Sequence, residues 1–397
     1  MKYFTAKCDS TAEKKFAADD MLLTVGLPTA AGSRMLEGYE SLFAAEALTR
    51  LEKKGYGLIG KAAVGEFALD LVGETAYEGA LTENDTLKNG AAEILRQGEA
   101  EAVLCLEVNG SVRRSTAQND LVCLKPSYGV VSRYGTVPAV CSGEAVSVMA
   151  KTAAECKEIF SAICGHDDKD GTSLPQELCE KAVKGGDIKT VALLRSFKEG
   201  LEPTILSQLD AFCEALKKMG IVVEEIDDTV ISLSRPVWNT LMSSEVCNNV
   251  SRYDGVKYGY RTKNYTNLDE LYVGSRTEAF GDLLKAVILY GSDNLSTENY
   301  MPIYDRALRL RRQICEEFSS LFTRFDAVLL PTVSKEAYSA QEAKKNPYFV
   351  MEENRFTAPA SVTGLPCVVV GGVQLLGKAL SDGALLALAE QYEKEAK

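Results

Sequence analysis

"TVALLRS" (190–196), "QLDAFCEALKKMG" (208–220) and "IVVEEI" (221–226) lie within one stretch of 37 residues, and their succession decides the fold class. The first is short, apolar and β-branched, as a buried strand is. The second is amphipathic and closes on Gly220, a helix stop. The third returns to a strand pattern. Strand, helix, strand in that order is the unit of α/β architecture. The pattern continues outward. "LFAAEALTRLEKK" (42–54) places Leu42, Ala45, Leu48 and Leu51 on one helical face before Gly55, and "YGLIGKAAV" follows as a buried strand. "FDAVLLPTV" (325–333) and "PCVVVGGVQLLG" (366–377) read as further apolar strands. "SDGALLALAEQYEKEAK" reads as a surface helix with Ser381 or Asp382 as N-cap. Two polar segments, 165–176 and 334–354, read as long loops. The prediction is an α/β protein, and the absence of a linker-like tract predicts one domain over 1–397.

Composition narrows the function. Of 397 residues, 46% are hydrophobic and 25% charged, the balance of a globular chain with ample core. Lys plus Arg number 44 against 56 Asp plus Glu, a net charge of −12 that disfavours direct contact with a phosphate backbone. No apolar run nears the roughly 18 residues of a membrane span, and the N-terminus lacks a signal-peptide core. Eleven cysteines without a Cys-x-x-Cys pair read as reduced thiols, hence a cytoplasmic location. The one histidine, His166, excludes a histidine-cluster metal site, and no cofactor motif is present. His166 stands among Asp167, Asp168 and Asp170, where a loop role outweighs pairing with a nucleophile. The tyrosine-rich stretch 253–272 mixes aromatic and basic residues; packing is the expected use, ahead of nucleic-acid stacking.

One segment carries chemistry. "CLEVNGSVRRS" (105–115) has the look of a nucleophile loop, with Ser111 after a Gly and before an Arg. A serine hydroxyl is a weak nucleophile unless a neighbouring base takes its proton. A lysine serves only where burial or neighbours depress its pKa.

"LKPSYGVVSRYGTVP" (124–138) followed by "ICGHDDKDGTSL" (163–174) resembles the amidase signature family. "SSEVCNNVSRYDGVKYGYR" (243–261), "LDELYVGSRTEAFG" (268–281) and "VQLLGKALSDGALL" (373–386) resemble the branch of A subunits from bacterial tRNA-dependent amidotransferases. The likeness runs from about Asp19 to the C-terminus, with a later start and a shortened piece between Phe67 and Leu87. It implies a large mixed β-sheet covered by helices on both faces. It also implies amide hydrolysis by a serine, with a second serine and a lysine relaying the proton. In the tRNA-dependent enzymes the ammonia freed from glutamine goes to a partner protein of the same complex.

The carry-over is incomplete. The nucleophile position is Ser111, and Val108, Asn109 and Gly110 are placed to aim backbone N–H groups at an oxyanion. Glu107 stands where the family has Asp. The relay serine, 24 residues earlier, corresponds to Leu87, in a run that reads as a helix start; the base lysine corresponds to Asp19. Ala286 and Val287 replace the paired arginines that hold a substrate carboxylate, Asn354 replaces the aspartate that reads its amine, and Trp238 or Asn239 falls at a tyrosine position. Lys88 and Lys61 are the candidate substitute bases. The reading is a non-hydrolytic scaffold or binding paralogue, with B- and C-like amidotransferase subunits as partners. The alternative is an active amidase, or glutamine-dependent A subunit, using Ser111 with a substitute base.

Overall fold

The computed structural model describes residues 3–396. The strands, in chain order, are β1 (Phe4–Lys7), β2 (Lys15–Asp19), β3 (Gly57–Ala62), β4 (Thr82–Glu83), β5 (Thr86–Leu87), β6 (Ala102–Glu107), β7 (Val122–Lys125), β8 (Ala145–Ala150), β9 (Thr190–Leu194), β10 (Val222–Ile226), β11 (Ala327–Pro331), β12 (Cys367–Val370) and β13 (Val373–Gly377). The helices are α1 (Glu46–Lys53), α2 (Gly90–Arg96), α3 (Ser111–Ala117), α4 (Ala153–Ile163), α5 (Gln176–Val183), α6 (Pro203–Lys218) and α7 (Ser234–Val250). They continue with α8 (Leu268–Ala279), α9 (Asp282–Asn294), α10 (Arg306–Leu321), α11 (Ala340–Lys345), α12 (Phe349–Thr363) and α13 (Asp382–Glu395).

Eleven strands form one mixed sheet in the order β1-β3-β2-β6-β8-β7-β12-β13-β11-β9-β10. Its two wings are parallel where helices cross over: β3-β2-β6 on one side, β11-β9-β10 on the other. The strands between them pair antiparallel. Residues 190–226 are the crossover β9-α6-β10, as the strand-helix-strand pattern predicts. Alternate residues of each central strand face opposite sides, so each face needs its own cover. On β6, Val103 and Cys105 join a smaller core with Ala91, Ile94 and Leu95 of α2 and Val112 of α3, while Leu104 and Leu106 join the larger core on the other side. The expected large mixed sheet with helices on both faces is what is observed.

Three local expectations are corrected. Leu42 lies outside α1 and is exposed. The Ser41 hydroxyl bonds Phe43 O at 2.8 Å and Phe43 N at 3.3 Å, a local turn that competes with helix. The segment 334–354 is no continuous loop: it holds α11 and the start of α12. Ser339 caps α11 by accepting from Glu342 N, a Ser-x-x-Glu start signal, and Ala343 and Val350 are buried. At α13, Ser381 occupies the N-cap position without capping, its hydroxyl donating to Lys378 O. The helix is no surface helix either, since Leu385, Leu386 and Leu388 are buried, and the buried Asp382 accepts from Ser127 N and Oγ at 2.7 and 2.6 Å.

Candidate active site

β6 runs into the turn Val108-Asn109-Gly110, and Ser111 is the first residue of α3. The turn demands glycine at 110: its φ is +91°, and a Cβ there would collide with Thr357 Oγ1 and the Arg114 guanidinium. Asn109 keeps ordinary backbone geometry, and its side chain does the fixing. Its Oδ1 accepts from Trp238 Nε1 at 2.9 Å, and its carbonyl accepts from Arg114 at 2.8 Å.

Two buried arginines brace this turn from below. Arg113 pairs with Glu107 at 3.3 Å and donates to Thr357 O (2.9 Å), Gln374 Oε1 (3.2 Å) and Ser361 Oγ (3.0 Å). Glu107 also accepts from Arg113 N at 3.2 Å. Arg114 donates to Leu71 O at 3.0 Å and Asp70 O at 2.7 Å, tying residues 70–71 to the serine loop. That tie brings the Asp70 carboxyl beside Ser111. Burial pushes Asp70 up to about 8, with the Glu74 carboxylate adding to the rise; Arg114 and the Ser111 hydroxyl oppose it. Asp70 is packed tightly enough that a Cβ on Gly65 would strike its carboxyl. Ser111's acid–base neighbour is thus a buried carboxyl that is mostly neutral at pH 7.

Asp19 and Leu87, which the resemblance aligns with the base lysine and the relay serine, are integrated into the fold. Asp19 closes β2, and its carboxylate accepts from Met21 N at 3.0 Å and Leu106 N at 2.7 Å. Burial nevertheless raises it to about 7, against those bonds and the Lys61 charge. Leu87, in β5, is buried, and its N–H donates to Tyr338 O at 2.8 Å. The helix expected from its neighbours is α2, capped by Asn89, which accepts from Ala92 N.

The hydrogen bonds of the two lysines run elsewhere. Lys61 is fully buried; it donates to Leu22 O and to Thr29 Oγ1 (2.8 Å) and lies 3.5 Å from Asp20 Oδ1. Burial pulls its pKa down, with Asp20 and Asp19 pulling back. Lys88 pairs with Glu83 at 3.1 Å in the β4–β5 hairpin. His166 bonds Leu174 O and Asp168, both at 3.0 Å, within its own loop. In the tyrosine-rich stretch, Tyr253 stacks on Phe67 at 5.5 Å and Tyr260 donates to Glu278 at 2.6 Å. Both rings serve packing and local bonds.

Three of the positions that the resemblance aligns with substrate contacts converge. Asn239, Ala286 and Val287 line one cavity of about 650 Å³ between α7, α9 and α12. The amide of Asn354 lies 2.8 Å from Asn239 Oδ1 and, turned over, reaches Asn109 Oδ1 at 3.1 Å. The Asn354 amide thus stands between the cavity and the serine loop, and in either orientation it donates to one side only. Trp238 faces Asn109, so the residue at the cavity wall is Asn239. Asp70 and Arg114 were missed in sequence. The one signal for them was Asp70 itself, a lone carboxylate in the apolar run "FALDLV". Among the described residues, no group of three His, Cys, Asp or Glu is placed to hold a metal, and no helix is long and apolar enough to cross a membrane.

The amidase family profile matches residues 19–386. The A subunit of glutamyl-tRNA(Gln) amidotransferase from Latilactobacillus sakei is 32% identical over 395 residues, 94% of this chain and 81% of that protein. Its counterpart in Streptococcus pneumoniae is 33% identical over 398 residues, covering 95% and 81%. The crystal structure of the corresponding A subunit from Thermotoga maritima superimposes with a TM-score of 0.82 at 25% identity, covering 99% of this chain and 87% of that one. A match that spans the sheet, the serine loop and the three-helix cavity together leaves one assignment: the chain belongs to the amidase family and is similar to the A subunits of glutamyl-tRNA(Gln) amidotransferases.

Proposed function

We propose that this amidase-family chain is non-hydrolytic and serves as a scaffold or binding protein in the cytoplasm, with B- and C-like amidotransferase subunits as candidate partners. One observation carries the reading: no amine is hydrogen-bonded to Ser111 among the described residues, and its neighbour is the buried carboxyl of Asp70, whose pKa burial pushes up. A neutral acid does not take a proton from a serine hydroxyl. Leucine at 87 has no proton to relay, and the Asp19 carboxylate is held by two backbone N–H groups. The same carboxyl supports the second reading, an amidase in which Asp70, Lys61 or Lys88 accepts the Ser111 proton once deprotonated.

The test is intact mass after exposure to a fluorophosphonate, beside Ser111→Ala, at pH 7 and pH 9. The expected outcome is no adduct at either pH on folded protein. An adduct that vanishes in the variant would overturn the proposal; one that forms only at pH 9 would point to a base that deprotonates between the two pH values, and its loss in Asp70→Asn would identify Asp70.

A further inference from the structure

We propose that the cavity between α7, α9 and α12 is a small-molecule site for a neutral ligand: an aromatic or branched apolar body with one hydrogen-bonding head group. The face that α7 turns to it follows helical spacing, with Arg235, Asn239 and Ser243 four residues apart. Polarity is graded along that line. Arg235 is exposed at the mouth, Asn239 half-buried, and Ser243 fully buried at the inner end. The Ser243 hydroxyl has no hydrogen-bond partner among the described residues. A buried hydroxyl left unpaired is unfavourable, and a ligand head group would satisfy it.

The other two walls are apolar. α9 contributes Ala286, Val287 and Tyr290; the α12 side contributes Tyr348 and Met351. Tyr290 and Tyr348 stay 45% and 52% exposed, leaving ring surface free to flank a flat ligand. Met351 adapts to irregular shapes. Among the described residues, the only charges lining the cavity are Arg235 and Glu352, opposite in sign and both exposed. A charged head group reaching Ser243 would leave water without a counter-ion, so the site discriminates against carboxylates and amines. About 650 Å³, mostly apolar with few polar groups, is the character of a small-ligand pocket.

The inference rests on reading the chain as a binding protein, and it is separable from Ser111 reactivity because binding is read without turnover. ¹⁹F NMR titrations would use 4-fluorobenzyl alcohol, with 4-fluorobenzoate and 4-fluorobenzylamine as charged comparators. The neutral probe is expected to bind at least about tenfold more tightly than either. Ala286→Trp should abolish binding. Ser243→Ala should weaken it about three- to tenfold while leaving Tm unchanged or higher, since it removes an unpaired hydroxyl. Equal binding of the benzoate, absence of binding to the wild type, or Ser243→Ala losing Tm without losing affinity would each overturn the proposal. Should Ala286→Trp fail to fold, Ala286→Leu reads the same wall with a smaller change.

Discussion

The serine loop and the three-helix cavity lie on either side of the Asn354 amide, yet they are built in opposite ways. Around Ser111 the interior is tightly packed, with Arg113 on Glu107, Arg114 on three carbonyls and Asp70 wedged against Gly65, although Asn109 Nδ2 and Arg113 Nε also lack a partner among the described residues. Between α7, α9 and α12 there is open volume, exposed aromatic surface and a hydroxyl without a partner among the described residues. The first region holds the fold together through buried pairs. The second carries little of the fold and has room for a guest. A protein can lose the chemistry of a site and keep its binding space, because the two make different demands on packing.

The sharpest way to break this comparison is to injure both regions alike. Arg113→Met strands the Glu107 carboxylate in the interior and should lower stability by about 3–5 kcal/mol in urea unfolding. Ala286→Trp adds far more volume but extends into open space, so its stability should stay within about 1 kcal/mol of wild type. Comparable losses in the two variants would mean that the cavity is as tightly packed as the loop.

A somewhat smaller effect separates a vacant catalytic position from an occupied one. Asp19→Lys places a lysine where the resemblance aligns the family's base. Here it would remove the acceptor of Met21 N and Leu106 N and place a second ammonium near Lys61. The expected result is a loss of about 3 kcal/mol and no gain in fluorophosphonate labelling. A stable, reactive variant would show that the loop still stands ready for catalysis and needs only its lysine.

These particulars explain what was legible in the sequence. The sheet was readable because short apolar, β-branched runs are local properties; β9-α6-β10, β3, β11, β12 and β13 lie where their runs place them. Asp19 and Leu87, and the set Asn239, Ala286 and Val287, were singled out by alignment to the family pattern. The meeting of those last three in one cavity was not legible, since it depends on how α7 packs against α9 and α12. Asp70 escaped because its effect on Ser111 comes from Arg114, which draws in an upstream segment through the carbonyls of residues 70 and 71. No spacing rule encodes such a tie. The α11 start was legible in Ser339 and Glu342 and was missed for want of length, six residues carrying too little periodicity.

The smallest effect tests the proton at the centre of the comparison. A carboxyl whose folded pKa exceeds its unfolded value binds its proton more tightly in the native state, so stability is lost as pH rises between the two. For Asp70 that window runs from about 4, the ordinary carboxylate value, to about 8. Asp19 and Glu66 at about 7 and Asp382 at about 6 push the same way. The protein should therefore be most stable near about pH 5 and weaken toward pH 8, the reverse of a fold held by ionised buried carboxylates. Asp70→Asn keeps the shape and removes one titration, so it should flatten the profile between pH 6 and 8 by on the order of 1–2 kcal/mol. The amide should also leave Ser111 as unreactive as before at pH 7. If the slope is unchanged, Asp70 is ionised in the folded protein at neutral pH, and the carboxylate beside Ser111 becomes a competent base after all.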